Sequence, residues 1–358
     1  MFSMAQPAAR RPPADALRRR ARSSGRPSRP PVADFRPGQI LHQPVAGRLL
    51  CRSNGLGFAM HQDIGGRKSQ EDRMTVVPCL HPGLGASFFG IFDGTVGDFC
   101  SDAVKDLIVP ALLAAPAWQE LAPGKNVGQA EQAKLLTTAL RQAYVAADDE
   151  VVRLAGHAGE HYATSTAVTV VMTDDCVAAA WLGDSRICGI VETHRSGDSW
   201  QGCWLTEDHR PDLPAEKARI EHNGGSVVYL QNRARQPFIR GGDFCERKKK
   251  GDKPMQLQYS RAFGGKDLKP YGLSNLCGVK IFPKRSQSGT HIRALVLASD
   301  GLWDVCTSSQ AARIVQICVR LGSRDPAAEL VKFALQEQQS RGVAADNISV
   351  IVVVPPSP

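Results

Sequence analysis

The sequence predicts an α+β domain in which antiparallel sheets are covered by helices. Two pairs of apolar, β-prone segments are each joined by a short turn, which is typical of hairpins. Helical periodicity falls in separate blocks and does not alternate with single strands. Hairpins with separate helical blocks favour antiparallel sheets over a parallel α/β sheet, and no internal repeat suggests a solenoid.

The first hairpin and two helices account for the first part of this domain. In chain order the elements are a strand at 74–77, a turn at 81–85, a strand at 87–92, and helices near 98–115 and 131–156. The strand at 87–92 runs directly into Asp93-Gly94. The longer helix has Leu136, Leu140 and Ala143 three or four residues apart, so they share one face.

The second hairpin and the C-terminal elements complete the pattern. They are strands at 165–172 and 177–182 around a turn at 174–175, a helix at 214–224, a strand at 295–298, helices near 309–321 and 326–340, and a strand at 348–354. Pro214 suits a first helical turn because the N–H it lacks is unpaired there, and Gly224-Gly225 is a typical helix end.

The net charge of +9 is concentrated in two segments of the 358-residue chain. Residues 1–40 carry a net +7 and residues 231–253 a net +5, which leaves the rest at −3. A slightly acidic core does not favour a nucleic-acid-binding face on the folded domain. The 42% hydrophobic content is that of a globular protein.

The first 45 residues are rich in Arg and Pro and lack apolar periodicity, so we expect a disordered tail. An Arg-rich nuclear address and a mitochondrial presequence remain alternatives for this tail. No apolar run is long enough to span a bilayer, no secretory segment follows Met1, and Phe2 does not suit myristoylation. We therefore expect an intracellular monomer, cytoplasmic or nuclear, without membrane contact. Ten scattered cysteines without a C-x-x-C pair suggest reduced thiols.

Acidic residues recur where the predicted strands begin or end. They are Glu71 and Asp72 before one strand, Asp93 and Asp184 after the return arms of the two hairpins, Asp300 after an apolar strand, and Asp346 before the last strand. Each alone is usually a turn or cap residue. Antiparallel pairing would gather them at one rim, where their mutual repulsion requires cations. Without Cys or His among them, the expected ions are Mg²⁺ or Mn²⁺.

An ordered series of motifs resembles the type 2C, metal-dependent protein serine/threonine phosphatases over residues 55–354. The motifs are Arg67 with Glu71-Asp72, FFGIFDG at 88–94, WLGDSR at 181–186, LTEDH at 205–209 with Pro211, YSRAFG at 259–264, LASDGLWD at 297–304 and DNISV at 346–350. The resemblance implies a single catalytic domain: an antiparallel β-sandwich flanked by helices on both faces, in four layers.

The resemblance also implies roles for individual residues in a two-metal site. By this resemblance, Asp93 corresponds to the carboxylate that bridges both ions, and the Gly94 carbonyl corresponds to a ligand of one ion. Asp300 and Asp346 correspond to ligands of the other ion, and Glu71 and Asp72 to groups that act through metal-bound water. Asp184 and Asp304 correspond to a weaker third ion position, and Arg67 to the guanidinium that binds the substrate phosphate. The implied activity is hydrolysis of phosphoserine and phosphothreonine proteins by a metal-activated water.

Three departures from the family pattern bear on function. Thr95 stands where the family has a histidine that resembles a general acid, and threonine cannot supply a proton near neutral pH. We therefore expect a phosphatase with altered acid catalysis, in which His161 is a weak substitute candidate. Gly265 replaces an aspartate that looks structural, which bears on loop rigidity. The basic insertion at 231–253 belongs to the flap region; it either attracts acidic substrates or is a solvated loop.

Two alternatives remain open at this point. A pseudophosphatase that binds phosphoproteins without catalysis is compatible with Thr95, whereas the retained acids and Arg67 favour catalysis. A two-carboxylate glycosidase would need only two of these acids and no neighbouring arginine.

Overall fold

The computed structural model describes residues 30–45, 47–121, 128–192, 200–230, 236–284, 291–322 and 324–356. The strands are β1 Val32–Ala33, β2 Leu49–Cys51, β3 Gly57–Asp63, β4 Arg73–His81, β5 Ala86–Phe92, β6 Gly94–Thr95, β7 Thr164–Ser165, β8 Ala167–Met172, β9 Cys176–Leu182, β10 Arg186–Glu192, β11 Trp200–Trp204, β12 Ser226–Tyr229, β13 Pro237–Arg240, β14 Gln256–Leu257, β15 Phe263–Gly264, β16 Gly278–Pro283, β17 His291–Ala298 and β18 Ile348–Val354. The α-helices are α1 Phe99–Ala114, α2 Pro116–Glu120, α3 Gln129–Ala158, α4 Pro214–His222, α5 Phe244–Lys249, α6 Asp300–Trp303, α7 Ser308–Leu321 and α8 Pro326–Arg341.

Two sheets form the centre of the fold in the described part of the chain. One has seven strands in the order β1-β2-β3-β18-β17-β10-β11, and the other has five in the order β16-β9-β8-β5-β4. Apart from the parallel pair β1–β2, the strand pairs of these sheets are antiparallel. The predicted α+β class is confirmed.

Alternation along each strand divides the apolar residues between an inner and an outer core. On β5, Phe89 and Ile91 join the core between the sheets, whereas Phe88 and Phe92 point to the helices outside. On β17, Leu295 lies in the inner core and Val296 in the outer core of the other sheet. This period of two is the pattern of a strand buried on both faces.

Helices cover both outer faces, as the sequence predicts. Helices α1, α2 and α3 pack on the five-stranded sheet, and α6, α7 and α8 pack on the seven-stranded sheet. Helix α7 begins with a capping box in which Thr307 accepts from the Gln310 N–H and the Gln310 side chain accepts from the Thr307 N–H. The result is the four-layer α-β-β-α arrangement.

The N-terminal segment corrects the predicted extent of the disordered tail. Residues 1–29 lie outside the described residues, but residues 30–45 lie against the domain. Strand β1 pairs with β2 at one sheet edge, and Leu41 pairs through its backbone with Val76 of the other sheet. The ring of Phe35 lies 5.7 Å from that of Phe58. The prediction of disorder for residues 30–45 was based on average composition, which gives little weight to the few apolar residues that pack at the sheet edges.

A separate lobe, residues 214–273, forms the flap. It contains α4, the β12–β13–β14 sheet and α5, around a small core that includes Ile220, Ile239 and Leu257. The basic stretch is more regular than expected for a solvated loop: residues 231–235 lie outside the described residues, whereas 237–240 and 244–249 form a strand and a helix. Within it Arg247 binds Asp267 at 2.7 Å, while Lys248–Lys250 are exposed.

Two smaller observations complete the fold. All ten cysteines are free thiols, as expected. Among the described residues, no helix combines the length and apolar character needed to cross a bilayer.

Candidate active site

The strand register gathers the predicted acids at one edge of the sandwich. In the β4–β5 hairpin Arg73 is opposite Phe92, so Asp72 and Asp93 leave neighbouring strands at the same end. In the β17–β18 pair Ala298 is opposite Val350, and the Ser299 N–H donates to the Ser349 carbonyl at 3.2 Å. Asp300 and Asp346 therefore flank this pair at the same edge. The acids named from the sequence thus lie at one edge of the sandwich.

Asp184 reaches the rim at the point where the chain crosses between the sheets. Strand β9 belongs to the five-stranded sheet and β10 to the seven-stranded sheet, with Gly183 between them. Gly183 has φ +87°, and a Cβ there would lie 2.7 Å from Thr166 Cγ2. The crossover therefore requires glycine, both for its backbone angle and for its lack of a side chain.

A cavity of about 830 Å³ opens at this rim. From the sandwich side it is lined by Arg67, Lys68, Ser69, Glu71, Asp93, Gly94, Thr95, Val96, Asp184, Asp300, Asp346 and Asn347. The flap closes the other side with Leu230, Phe238, Gln256, Leu257, Gln258 and Tyr259. One cavity thus brings together most of the predicted site residues.

Asp72 and Asp304 lie beside this cavity and do not line it. Asp72 is buried beneath the rim, where Ser299 donates a 2.8 Å hydrogen bond to Oδ2. Asp304 lies at the end of α6 and lines an adjoining cavity of about 260 Å³ that shares Asp184 and Asp300 with the larger one. Both carboxylates are close enough to the rim acids to affect their ionisation: Asp72 from beneath the rim and Asp304 from the adjoining cavity.

The rim acids are crowded and desolvated. Burial, reinforced by Asp72, Asp300, Asp184 and Asp346, raises the pKa of Asp93 well above its ordinary value. Burial and neighbouring carboxylates also raise the pKa of Asp300 well above its ordinary value. Burial raises the pKa of Asp72 to about 6 and that of Asp184 to about 7, and Asp208 adds to the second shift. These carboxylates therefore disfavour one another's charge.

Asn347 and Arg67 organise the mouth of the cavity. The Asn347 side chain accepts from the Glu71 N–H at 2.8 Å and donates to the carbonyls of Ile64 and Ser69, each at 3.0 Å. Arg67 donates from Nη2 to Asp346 Oδ2 at 2.5 Å, with its side chain 58% exposed. An arginine at an open mouth can turn from Asp346 to an incoming phosphate, to which it presents a bidentate fork.

The donor set fits hard cations that keep part of their water. In the described ranges, no group of three or more His, Cys, Asp or Glu side chains is arranged to hold a metal ion, so water would have to complete the coordination of any ion at the rim. Mg²⁺ commonly binds through one or two carboxylates and retains several waters, which the cavity has room for. Crowded carboxylate oxygens without thiolate or imidazole partners match Mg²⁺ or Mn²⁺.

Thr95 lines the cavity next to Gly94, and Tyr259 approaches it from the flap side. The Tyr259 hydroxyl donates to Thr95 Oγ1 at 2.9 Å. His161, the substitute candidate named from the sequence, is exposed and lines neither of the two cavities. The sequence motif that contains Tyr259 predicts no role for it, because Thr95 lies 164 positions away and no local pattern shows that the two residues are in contact.

Comparisons with known proteins agree with this geometry. Residues 56–343 match the family model described as Protein phosphatase 2C. Probable protein phosphatase 2C 68 of Oryza sativa subsp. japonica is 31% identical over 288 residues, covering 74% of this chain and 67% of the relative. Probable protein phosphatase 2C 45 of the same species is 30% identical and covers 87% and 91%.

A solved structure supports the same conclusion. The serine-threonine phosphatase 2C from Toxoplasma gondii shares 46% identity with a TM-score of 0.81, covering 89% of this chain and 99% of that one. A C. elegans sex determining protein, at 23% identity and a TM-score of 0.61, shares the fold.

The helix-covered sandwich with its acidic rim is therefore that of a metal-dependent phosphatase class. The chain belongs to the protein phosphatase 2C family and is a protein-serine/threonine phosphatase.

Proposed function

We propose that the rim cavity hydrolyses phosphoserine and phosphothreonine esters with two hard divalent cations, Mg²⁺ or Mn²⁺. Asp93 and the Gly94 carbonyl would hold one ion, and Asp93, Asp300 and Asp346 the other. Glu71 and Asp72 would hold water around the ions, and Asp184 with Asp304 would offer a weaker third position. When bound, the ions would supply a nucleophilic water and neutralise charge on the phosphoryl oxygens.

The observation that carries this proposal is the mutual effect of the rim acids. Burial and neighbouring carboxylates raise the pKa values of Asp93 and Asp300, which is a cost to the protein without cations. A cation between the carboxylates removes that cost. Arg67 at the mouth supplies the remaining positive charge for the substrate phosphate.

Thr95 limits the reaction at the leaving group. An alkoxide leaving from phosphoserine or phosphothreonine benefits from a proton donor, whose loss typically costs about 10²–10⁴-fold in rate. An aryl oxide needs no such help. The proposal is therefore a phosphatase that is slow on phosphopeptides and less impaired on aryl phosphates.

Thr95 also supports a second candidate, a pseudophosphatase that binds phosphoproteins or partners. The two candidates differ in turnover, since both retain the cavity with Arg67 at its mouth. The acidic rim favours catalysis, because a binding module gains nothing from carboxylates that raise one another's pKa.

A turnover assay separates these candidates. Hydrolysis of an aryl phosphate and of a phosphothreonine peptide is measured with Mn²⁺, Mg²⁺ or chelator. We expect metal-dependent turnover that Asp93→Asn reduces by at least about 10³-fold, on the scale of losing metal activation of water. Asp175→Asn, an exposed acid in the β8–β9 turn, is the matched control and should retain activity. Binding of metal and phosphopeptide without turnover would instead establish the pseudophosphatase.

Thr95→His tests the altered acid chemistry. We expect phosphopeptide turnover to rise by about 10-fold or more while aryl-phosphate turnover changes little. Thr138→His on the exposed face of α3 is the control for the substitution itself. If Thr95→His leaves turnover of both substrates unchanged, the assignment of Thr95 to the leaving-group side is wrong.

A further inference from the structure

Three hydroxyl groups form a continuous hydrogen-bonded chain that ends in the cavity. Thr164 Oγ1 and the Tyr259 hydroxyl lie 2.9 Å apart, and the Tyr259 hydroxyl donates to Thr95 Oγ1 at 2.9 Å. Thr164 and Tyr259 are buried, and both Tyr259 and the half-buried Thr95 line the cavity. The three hydroxyls therefore connect the interior of the domain to the cavity.

The direction of the chain follows from counting protons. Each hydroxyl has one proton to donate. Because Tyr259 gives its proton to Thr95, Thr164 must be the donor to Tyr259. Thr95 then accepts from inside and keeps its own proton for an acceptor in the cavity. Burial raises the pKa of Tyr259 far above its ordinary value, so Tyr259 stays protonated and keeps this role at neutral pH.

Backbone pairing holds the chain in place on both sides. Thr95 is opposite Thr164 in the β6–β7 pair, and Gly264 is opposite Thr164 in the β7–β15 pair. Tyr259 precedes β15 and is also part of the flap core. The hydroxyl chain is thus the point where the flap is joined to the segment that follows Asp93.

We propose that Thr95 is a hydrogen-bond donor to the leaving-group oxygen of the substrate, and that Tyr259 and Thr164 are positioning residues that orient its proton. This inference rests on the proposed function and specifies how a site with threonine in this position still assists the leaving group. A hydrogen-bond donor that is already oriented before the reaction stabilises the developing negative charge more strongly, because the donor does not have to reorient as the charge forms.

Hydrolysis of the phosphate ester needs no proton transfer from the three hydroxyl groups. A water oxygen forms the new bond to phosphorus and its proton passes to solvent. The bond from phosphorus to the seryl or threonyl oxygen breaks, and its electron pair goes to that oxygen. Thr95 donates a hydrogen bond to the developing charge, and the oxygen then takes its proton from solvent water. Thr95, Tyr259 and Thr164 all keep their protons.

The test compares two leaving groups in matched variants. The ratio of phosphoserine-peptide to p-nitrophenyl-phosphate turnover is measured for wild type, Thr95→Val, Thr95→Ser, Tyr259→Phe and the Thr95→Val/Tyr259→Phe double variant. We expect the ratio to fall about 10-fold or more in Thr95→Val, to fall several-fold in Tyr259→Phe, and to fall no further in the double variant. Thr95→Ser should preserve the ratio, and so should the control Tyr229→Phe, an exposed tyrosine outside the cavity.

A second measurement reports the hydrogen bond without turnover. Melting temperatures of the same variants in chelator should be non-additive for Thr95→Val and Tyr259→Phe, because the two substitutions remove one shared interaction. Additive melting temperatures, or equal slowing of both substrates by Tyr259→Phe, would overturn the inference while leaving the proposed function intact. Absence of metal-dependent turnover in the wild type would overturn both.

Discussion

Two buried acidic sites in this molecule show opposite electrostatics. At the rim, burial and like charges raise the pKa values of Asp93 and Asp300. In the flap, burial opposes ionisation of Glu216, but hydrogen bonds from Arg261, Arg219 and Ser260 outweigh it and lower the pKa of Glu216 to about 2. The Glu216 side chain is only 4% exposed.

The difference separates a structural cluster from a functional one. The flap cluster contains its own positive charges, so it is complete within the protein and holds α4 to the segment at 260–261. At the rim the neighbours of Asp93 and Asp300 are mainly other carboxylates, which is why we propose that cations complete this site. Burial of an acid therefore indicates function where the neighbours are acids, and structure where they are arginines.

The largest expected effect comes from breaking the flap cluster. Glu216→Gln leaves Arg261 and Arg219 without their buried partner and should lower the free energy of unfolding by about 3 kcal/mol. Chemical denaturation measures this change. The control is Glu221→Gln on the same helix, whose exposed pair with Lys217 at 3.7 Å should contribute less than about 0.5 kcal/mol. Similar losses in the two variants would contradict the distinction between the sites.

The pH dependence of stability should have opposite signs at the two sites. At the rim the folded-state pKa values are raised, to about 6 for Asp72 and about 7 for Asp184, so protonation favours the folded state. This stabilisation of the metal-free protein is fully present below the unfolded pKa near 4 and is lost as the pH rises through 6 to 7. In the flap the lowered pKa of Glu216 contributes stability above pH 4.5 that is lost as the pH falls toward 2.

Urea denaturation in chelator at pH 5 and pH 8 measures the rim effect. We expect the free energy of unfolding to be lower at pH 8 by about 2 kcal/mol, and this difference to shrink in Asp300→Asn and with saturating Mg²⁺. A difference that persists unchanged in Asp300→Asn would show that the rim acids are not its source.

The smallest expected effect concerns backbone strain at the rim. Val96 has φ 63° and is the one non-glycine with positive φ among the described residues, and it is 53% exposed at the cavity. A β-branched residue is costly in this conformation, so Val96→Gly should raise the free energy of unfolding by about 1 kcal/mol. Exposed Val343→Gly, which has no such backbone strain to relieve, should give no gain. No gain from Val96→Gly would mean that the loop relaxes without cost.

Local patterns in the sequence predicted the fold class, and they predicted which acids lie at strand ends. Hairpins, helical blocks and their order were right within a few residues, since periodicity and turn residues are local properties. Asp93, Asp184, Asp300 and Asp346 lie next to strand ends in the structure, as their positions in the sequence indicate. The start of one strand and the end of its antiparallel neighbour lie at the same edge of a sheet, which brings such residues close together. Composition alone was misleading at residues 30–45, where a few residues pair with distant strands despite the basic tail. It also did not show that part of the basic segment 231–253 forms a strand and a helix.

The roles of Asp72, Tyr259 and the flap required the tertiary structure. Whether an acid lines the cavity or lies beneath it depends on which neighbours exclude water. Asp72 is covered by Ser299, which follows β17, and by Ser349 of β18, both more than 200 residues away in the sequence. The 2.9 Å hydrogen bond between Tyr259 and Thr95 is one of the contacts that join the flap to the sandwich, and it links residues 164 positions apart in the sequence. The sequence by itself determined which groups are candidates for the chemistry, since that depends on residue type and spacing along each strand. Tertiary structure decided their ionisation and orientation, since both depend on distances across the fold.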